Sequence, residues 1–383
     1  MKKKIIISIF FLSIAMQLCI LFTSVDAAKF NENSMVFWDG GFAYAIVSKD
    51  EVWIVAVDNK YAEKKRYFTD KKTNKSTAGS TLIIPAKAKN NGKTYRVTGI
   101  IDGECASYSD EPNLISGLYY FIQPICFKGL GSKSESDYSY FGELNGLEKL
   151  VIPNTIKHIG TGAFSVQHLK KVVFKGKFKD LIIGKYAFAA CSEIESLKLP
   201  EGTIEIGLGA VSHVKKLTIP STVKKIGAYN VTSSVQSVKV ASGNKYFKIK
   251  DGILYSKDES ILYGASARSK KNVIISKKTT TMCQCAFSGS KIKSIQFNDK
   301  LKKIPSGAFE RCTALTELKG TDNITEIGYA SFYYCPRLKK LGTMSHLKII
   351  NRAAFWESDS VDFVPNEKVK VDKYGFEIDE NAY

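Results

Sequence analysis

Three nine-residue segments of this chain, "IGKYAFAAC" (183–191), "IPSGAFERC" (304–312) and "IGYASFYYC" (327–335), carry Ile, a small residue before Phe, and Cys at the same offsets. With the Phe as marker, the phrase recurs at Phe127, Phe164, Phe188, Phe287, Phe309, Phe332 and Phe355. From Phe287 onward the markers stand 22, 23 and 23 residues apart. Val211 and Val231 keep the register where Phe is lost, and Cys105 lies 22 residues before Phe127. Five residues before every one of these positions is a long aliphatic side chain, from Ile100 and Ile122 through Met282 to Ile327 and Ile350. Self-similarity at a fixed period implies stacked structural units.

Between markers runs a second phrase: "LEKLVIP" (147–153), "LKKVVFK" (169–175), "IESLKLP" (194–200), "VKKLTIP" (214–220), "VQSVKVA" (235–241) and "IKSIQFN" (292–298). Its fourth and sixth residues are apolar, the alternation of a strand. A third phrase, "TIKHIG", "TVKKIG" or "NITEIG", places apolar residues around an exposed pair. A unit of about 23 residues therefore suits one turn of a coil: a strand, a bend, a second extended piece and a short helical turn. One unit cannot bury its apolar edge alone, but units stacked at a strand spacing of roughly 4.8 Å can. The marker phenylalanines would then form an internal ladder, each worth on the order of 1.5–3 kcal/mol on burial. Gly160, Gly184, Gly207, Gly227 and Gly328, after the Ile, are expected to let the chain turn sharply.

The combination "L-x-x-L-x-I-P … I-G-x-x-A-F-x-x-C" resembles the BspA-like leucine-rich-repeat family, also called the Treponema pallidum type, over roughly residues 97–356. The resemblance implies a leucine-rich-repeat solenoid, a right-handed, β-rich β/α superhelix of roughly 22–24 residues per rung. It also implies a secreted or surface protein, since family members are associated with adhesion to host proteins, other microbes or matrix. The family has no shared catalytic residues. The expected function is a secreted or cell-surface, adhesin-like binding protein acting through protein–protein or protein–glycan contact. The alternative is a structural, envelope-associated repeat protein whose basic face holds an anionic polymer.

The regions outside the repeat carry separate expectations. "MKKK", the apolar run after it, and Val25 and Ala27 read as a secretory signal peptide over 1–27, cleaved before Ala28. No later segment is long and apolar enough to span a membrane. Residues 28–96 read as a β-rich N-terminal cap, needed because a solenoid's first rung exposes an apolar end. Polar, glycine-rich residues 128–146 form an insertion, and about 243–272 read as a β-hairpin insertion. The tail from 357 to 383 closes the coil. An exported chain can oxidise its cysteines. Cys191, Cys312 and Cys335 either fill the core or, for Cys312 and Cys335 on neighbouring rungs, form a disulfide.

Enzyme motifs are missing. His158, His168, His213 and His346 show no metal spacing, and neither a G-x-S-x-G elbow nor H-E-x-x-H occurs. No enzyme activity, cofactor or metal is expected. The charge of +19 instead directs attention to surfaces. Outward positions of the strand phrase carry Lys149, Lys170, Lys171, Lys215, Lys216, Lys293, Lys339 and Lys340. The third phrase adds Lys157, Lys224, Lys225, Lys302, Lys303 and Lys348. Stacking would align each set into a basic column, diluted by Glu148, Glu195, Glu205, Glu317 and Glu326. Lys170, Lys171, Lys215, Lys216, Lys339 and Lys340 are candidate ligand contacts, with Tyr138 and Tyr140 as an aromatic alternative. Expected partners are a host or microbial surface protein, a matrix protein or an acidic glycan. Nucleic acid would suit the charge, but export argues against it.

Overall fold

Alternation in the strand phrase sends its fourth and sixth residues inward. Leu150 and Ile152, Leu197 and Leu199, Leu217 and Ile219, and Ile295 and Phe297 are all buried. The computed structural model describes residues 35–65, 80–101, 144, 146–372 and 375, with backbone alone for Cys105–Ser107, Tyr120–Ile122 and Tyr138–Ser139. The expected signal peptide, Cys126, Phe127 and Tyr140 lie outside the described residues, as does most of the 128–146 insertion.

The strand phrases stack in parallel, as successive turns of a coil must. Lys149–Pro153 pairs with Lys171–Lys175 on one side and Thr81–Ile83 on the other. Lys216–Ile219 lies between Leu197–Lys198 and Ser237–Val240. Ser294–Gln296 lies between Asn272–Ile274 and Glu317–Lys319. The third phrase builds a second parallel stack, in which His158–Ile159, Leu181–Ile183, Thr203–Ile206 and Lys225–Ile226 follow Lys93–Ile100. Beyond the insertion, Lys303–Ile304, Glu326–Ile327, Ile349–Ile350 and Lys370–Val371 continue the pattern.

At the N-terminal end, Val36–Asp39, Phe42–Ile46 and Glu51–Asp58 form an antiparallel meander. Glu51–Asp58 then joins Lys93–Ile100 in parallel, so this sheet runs directly into the second stack. The residues beside the first rung share its core, with Tyr44, Ile54 and Val57 in one apolar cluster with Phe164 and Phe188.

The corners differ from the expected short helical turn. Among the described residues the one helix is Asn59–Lys64, far from any marker. At each corner the residue two before the marker is left-handed. Gly162, Gly209 and Gly307 take this place, but so do Tyr186, Tyr229, Cys285, Ala330 and Ala353, all with φ between 47° and 62°. A left-handed residue cannot continue a right-handed helix. The freed N–H groups bond across rungs instead: Gly307 donates to Tyr329 O at 2.9 Å and Phe309 to Ser331 O at 2.8 Å.

The glycines after the Ile serve another purpose than the expected sharp turn. None of Gly160, Gly184, Gly207, Gly227 and Gly328 has a positive φ. A Cβ on Gly184, Gly207, Gly227 or Gly328 would meet backbone atoms of the preceding rung at 2.5–2.7 Å. These positions exclude a side chain because two rungs touch there.

Inside, Phe287, Phe309, Phe332 and Phe355 stack at centroid separations of 5.3, 5.2 and 5.2 Å with nearly parallel rings. Phe164 and Phe188 stack at 5.7 Å. Where the ladder is interrupted, Asn230 stitches two rungs. It accepts from Val211 N–H at 3.0 Å and donates to Gly207 O and Gly227 O at 2.6 and 2.9 Å.

Cys312 and Cys335 are free thiols, so the disulfide alternative does not hold. Cys191, Cys312 and Cys335 each donate Sγ–H to a marker carbonyl of the preceding rung, Phe164, Phe287 and Phe309, at 3.0 Å. On the next rung Ser358 repeats the arrangement toward Phe332 O at 2.5 Å.

Between the two halves, Phe247–Lys250, Ile253–Ser256 and Ile261–Ala265 form an antiparallel meander. Its last strand pairs in parallel with Thr281–Met282, taking a rung's place in the second stack. The strand Ile253–Ser256 separates two cores: Leu254 belongs to the N-terminal one, Ile253 and Tyr255 to the C-terminal one.

Candidate binding surfaces

Parallel, in-register stacking brings equivalent outward residues side by side, so charge along the rod is set by one column at a time. Four of the column lysines are paired to the carboxylate of an adjacent rung. Lys170 reaches Glu148 at 2.6 Å, Lys225 reaches Glu205 at 3.5 Å, Lys303 reaches Glu326 at 2.5 Å, and Lys215 pairs with Glu195. The Lys215 hydrogen bond holds the Glu195 carboxyl below the usual range, and Glu148 raises Lys170. Near the first rung, Glu51 takes both Arg96 and Lys157; burial pushes its carboxyl up, but the two cations outweigh that and lower it.

The remaining candidates differ from these. Lys171, Lys216, Lys339 and Lys340 are exposed and have no ion pair among the described residues. Lys149 and Lys171 stand directly opposite each other on neighbouring strands. Like charges so placed repel, at a cost usually avoided. The backbone of Lys340 forms a parallel β-bridge with Glu317, whose carboxylate is held by Lys319 at 3.1 Å. The six lysines therefore divide: Lys170 and Lys215 are neutralised, and four cations are left open. Of the aromatic alternative, the backbone of Tyr138–Ser139 pairs with Asp58 and Val57.

Two features escaped the sequence reading. At the C-terminal corners, Tyr333 stacks on Trp356 at 4.7 Å, with the Arg311 guanidinium over the Tyr333 ring at 5.7 Å. Glu310 lies beneath, only 6% exposed, with Arg311 Nε 3.6 Å from its Oε1. Burial pushes its carboxyl up to about 7, against the opposing charge of Arg311 and a hydrogen bond from Ser288. The second feature is the rung strand Asn272–Ile274. Its sequence "KNVIIS" carries the apolar pair of the strand phrase but has Lys270 in place of the leading apolar residue, so it does not read as a strand phrase and begins where the expected insertion ends. Among the described residues no group of His, Cys, Asp and Glu is placed to hold a metal ion, and no helix is long and apolar enough to cross a membrane.

A coil of parallel strands with an aromatic ladder, and lysine columns on its flank, defines a leucine-rich-repeat solenoid. The match to known sequences is specific. Residues 134–261 and 264–378 match the BspA type leucine rich repeat region, in 6 copies, and the chain belongs to that family. A leucine-rich repeat protein from Eubacterium ventriosum has the same fold at 18% identity and a TM-score of 0.50, over 90% of this chain and 94% of that one. The pneumococcal vaccine antigen PcpA is similar at 20% identity and a TM-score of 0.47, over 88% of this chain and 93% of that one. The Treponema pallidum leucine rich repeat protein is 13% identical with a TM-score of 0.29, over 79% of this chain and 91% of that one. No curated protein matches the sequence.

Proposed function

We propose that this is a secreted or cell-surface binding protein, adhesin-like and non-enzymatic, whose solenoid flank holds an acidic partner. The partner class is a surface or matrix protein of a host or another microbe, or an acidic glycan. Membership of the BspA-type family supports the reading. The observation that carries it is the set of lysines left open: Lys149 faces Lys171 across one strand pair, although neighbouring rungs neutralise Lys170 and Lys215 with carboxylates. An anion laid along the column would relieve that repulsion. Such contacts weaken with salt, because exposed charges are screened beyond roughly 8 Å at physiological ionic strength.

The test compares the protein with a Lys171→Ser/Lys216→Ser variant, binding sulfated polysaccharide and immobilised matrix proteins from low to high salt. Binding should fall on the order of tenfold or more across the salt range, and the variant should bind more weakly at low salt. A Lys170→Ser/Lys215→Ser variant should lose less, since those charges are already paired. Binding that ignores both salt and the open lysines would overturn the reading.

A further inference from the structure

The strand Asn272–Ile274 stands at the edge of its sheet: it pairs with Ser294–Gln296 on one side and with no strand on the other. In a ladder, backbone groups of alternate residues point to opposite sides. Lys271 O and Ile275 N–H bond toward the paired strand, with Lys293 N–H and Gln296 O as their partners at 2.6 and 3.0 Å. The N–H and C=O groups of Asn272 and Ile274 therefore face the open side, where they meet no backbone partner among the described residues. Such an edge is ordinarily covered or blunted, because it templates the addition of another strand.

Three further observations fall at the same place. Ile274 is 78% exposed, an aliphatic side chain left in solvent beside the open edge. A narrow gap of about 10 Å³, room for about one water, lies beside the strand, lined also by Ile253 and Tyr255 of the meander. The rim is basic. Lys250 and Lys270 line the gap and Lys271 adjoins it; Lys270 holds Asp251 at 2.8 Å, Lys250 shares the single carboxylate of Glu259 with Lys248, at 3.3 and 2.6 Å, and Lys271 has no ion pair among the described residues, so cations outnumber carboxylates there.

We propose that this edge is a docking site for an extended, acidic segment of a partner protein, which adds a strand beside Asn272–Ile274. Main-chain hydrogen bonds to Asn272 and Ile274 supply the pairing. Alternate side chains of the added strand supply the rest: aliphatic ones pack on Ile274, and carboxylates meet Lys250 and Lys271. The site borders the lysine column, since Lys271 lies beside Lys293, but it uses neither Lys171 nor Lys216.

The probe is a fluorescent peptide of roughly eight alternating valine and glutamate residues, long enough to cover the edge. Its binding is read by anisotropy. Ile274→Pro removes an N–H that the protein's own ladder does not use, so the fold is kept and the pairing lost. Binding should weaken on the order of tenfold or more in Ile274→Pro, and equally when the peptide is N-methylated on alternate residues. Lys250→Glu/Lys271→Glu leaves the strand intact and should shift preference to a valine–lysine peptide. That variant keeps the test open should Ile274→Pro unfold. Lys171→Ser/Lys216→Ser should bind the peptide unchanged, which separates this site from Lys171 and Lys216. No binding up to on the order of 1 mM peptide, or binding indifferent to N-methylation and to charge reversal, overturns the proposal. A concentration-dependent dimer that Ile274→Pro abolishes, without peptide binding, overturns it in favour of a second copy of this chain.

Discussion

Phe309 has one ring on each face, Phe287 at 5.3 Å and Phe332 at 5.2 Å, and Phe297 at its edge at 6.1 Å. None of these neighbours can collapse into a vacancy without unstacking the next rung. Phe309→Ala should therefore cost on the order of 3–5 kcal/mol, read from urea unfolding. Its neighbour Glu310 sets a pH dependence. The carboxyl sits at about 7 in the folded chain, above its ordinary value of 4.5, so the folded state holds the proton more tightly than the unfolded one. Stability is then greatest below the ordinary value, falls as pH rises from there to about 7, and levels off above it. The unfolding free energy should drop between pH 5 and pH 7.5 by on the order of a few kcal/mol. Glu310→Gln should flatten that slope; an unchanged slope would show that another group carries it.

At the scale of the rung, spacing is enforced by glycine. A Cβ at Gly328 would lie 2.6 Å from Ser306 N and 2.7 Å from Pro305 C, and backbone cannot step aside as a side-chain tip can. Gly328→Ala should destabilise by roughly 1–3 kcal/mol, measured by thermal or urea unfolding, although it adds only a methyl group. The need for glycine there was legible in the sequence; its cause was not, because contact between rungs depends on their separation rather than on local preference. The left-handed corner was hidden for the converse reason. Tyr186, Tyr229, Ala330 and Ala353 hold a conformation that their residue types rarely signal; Tyr186 and Ala330 donate from it to Leu208 O and Arg352 O of the next rung. Strand phrases with an intact leading apolar residue could be read directly, whereas Asn272–Ile274, led by Lys270, could not. Which lysines stay open was beyond sequence reading too, since Glu148 and Glu195 choose Lys170 and Lys215 through side-chain geometry.

Across the whole molecule, the meander is the joint between two cores, and Gly264 seats it. A Cβ there would stand 2.1 Å from Val231 O, at the last interrupted marker corner. Gly264→Val should lift the meander from that corner and uncouple the halves. Calorimetry should then resolve two transitions in the variant where the parent shows one, as nearest-neighbour coupling between repeats is lost. A single transition that merely shifts would place the joint elsewhere. The five buried thiols among the described residues have a bearing on how such a rod comes apart. Cys191 lies in the N-terminal core, and Cys312 and Cys335 in the C-terminal one, with Cys283 and Cys285 at the rung beside the joint. Burial raises Cys285, Cys312 and Cys335 well out of the reactive range, so an alkylating reagent can mark them only when their own rung opens. The order in which they are marked is a clock written into the chain, reporting from which end the coil unwinds.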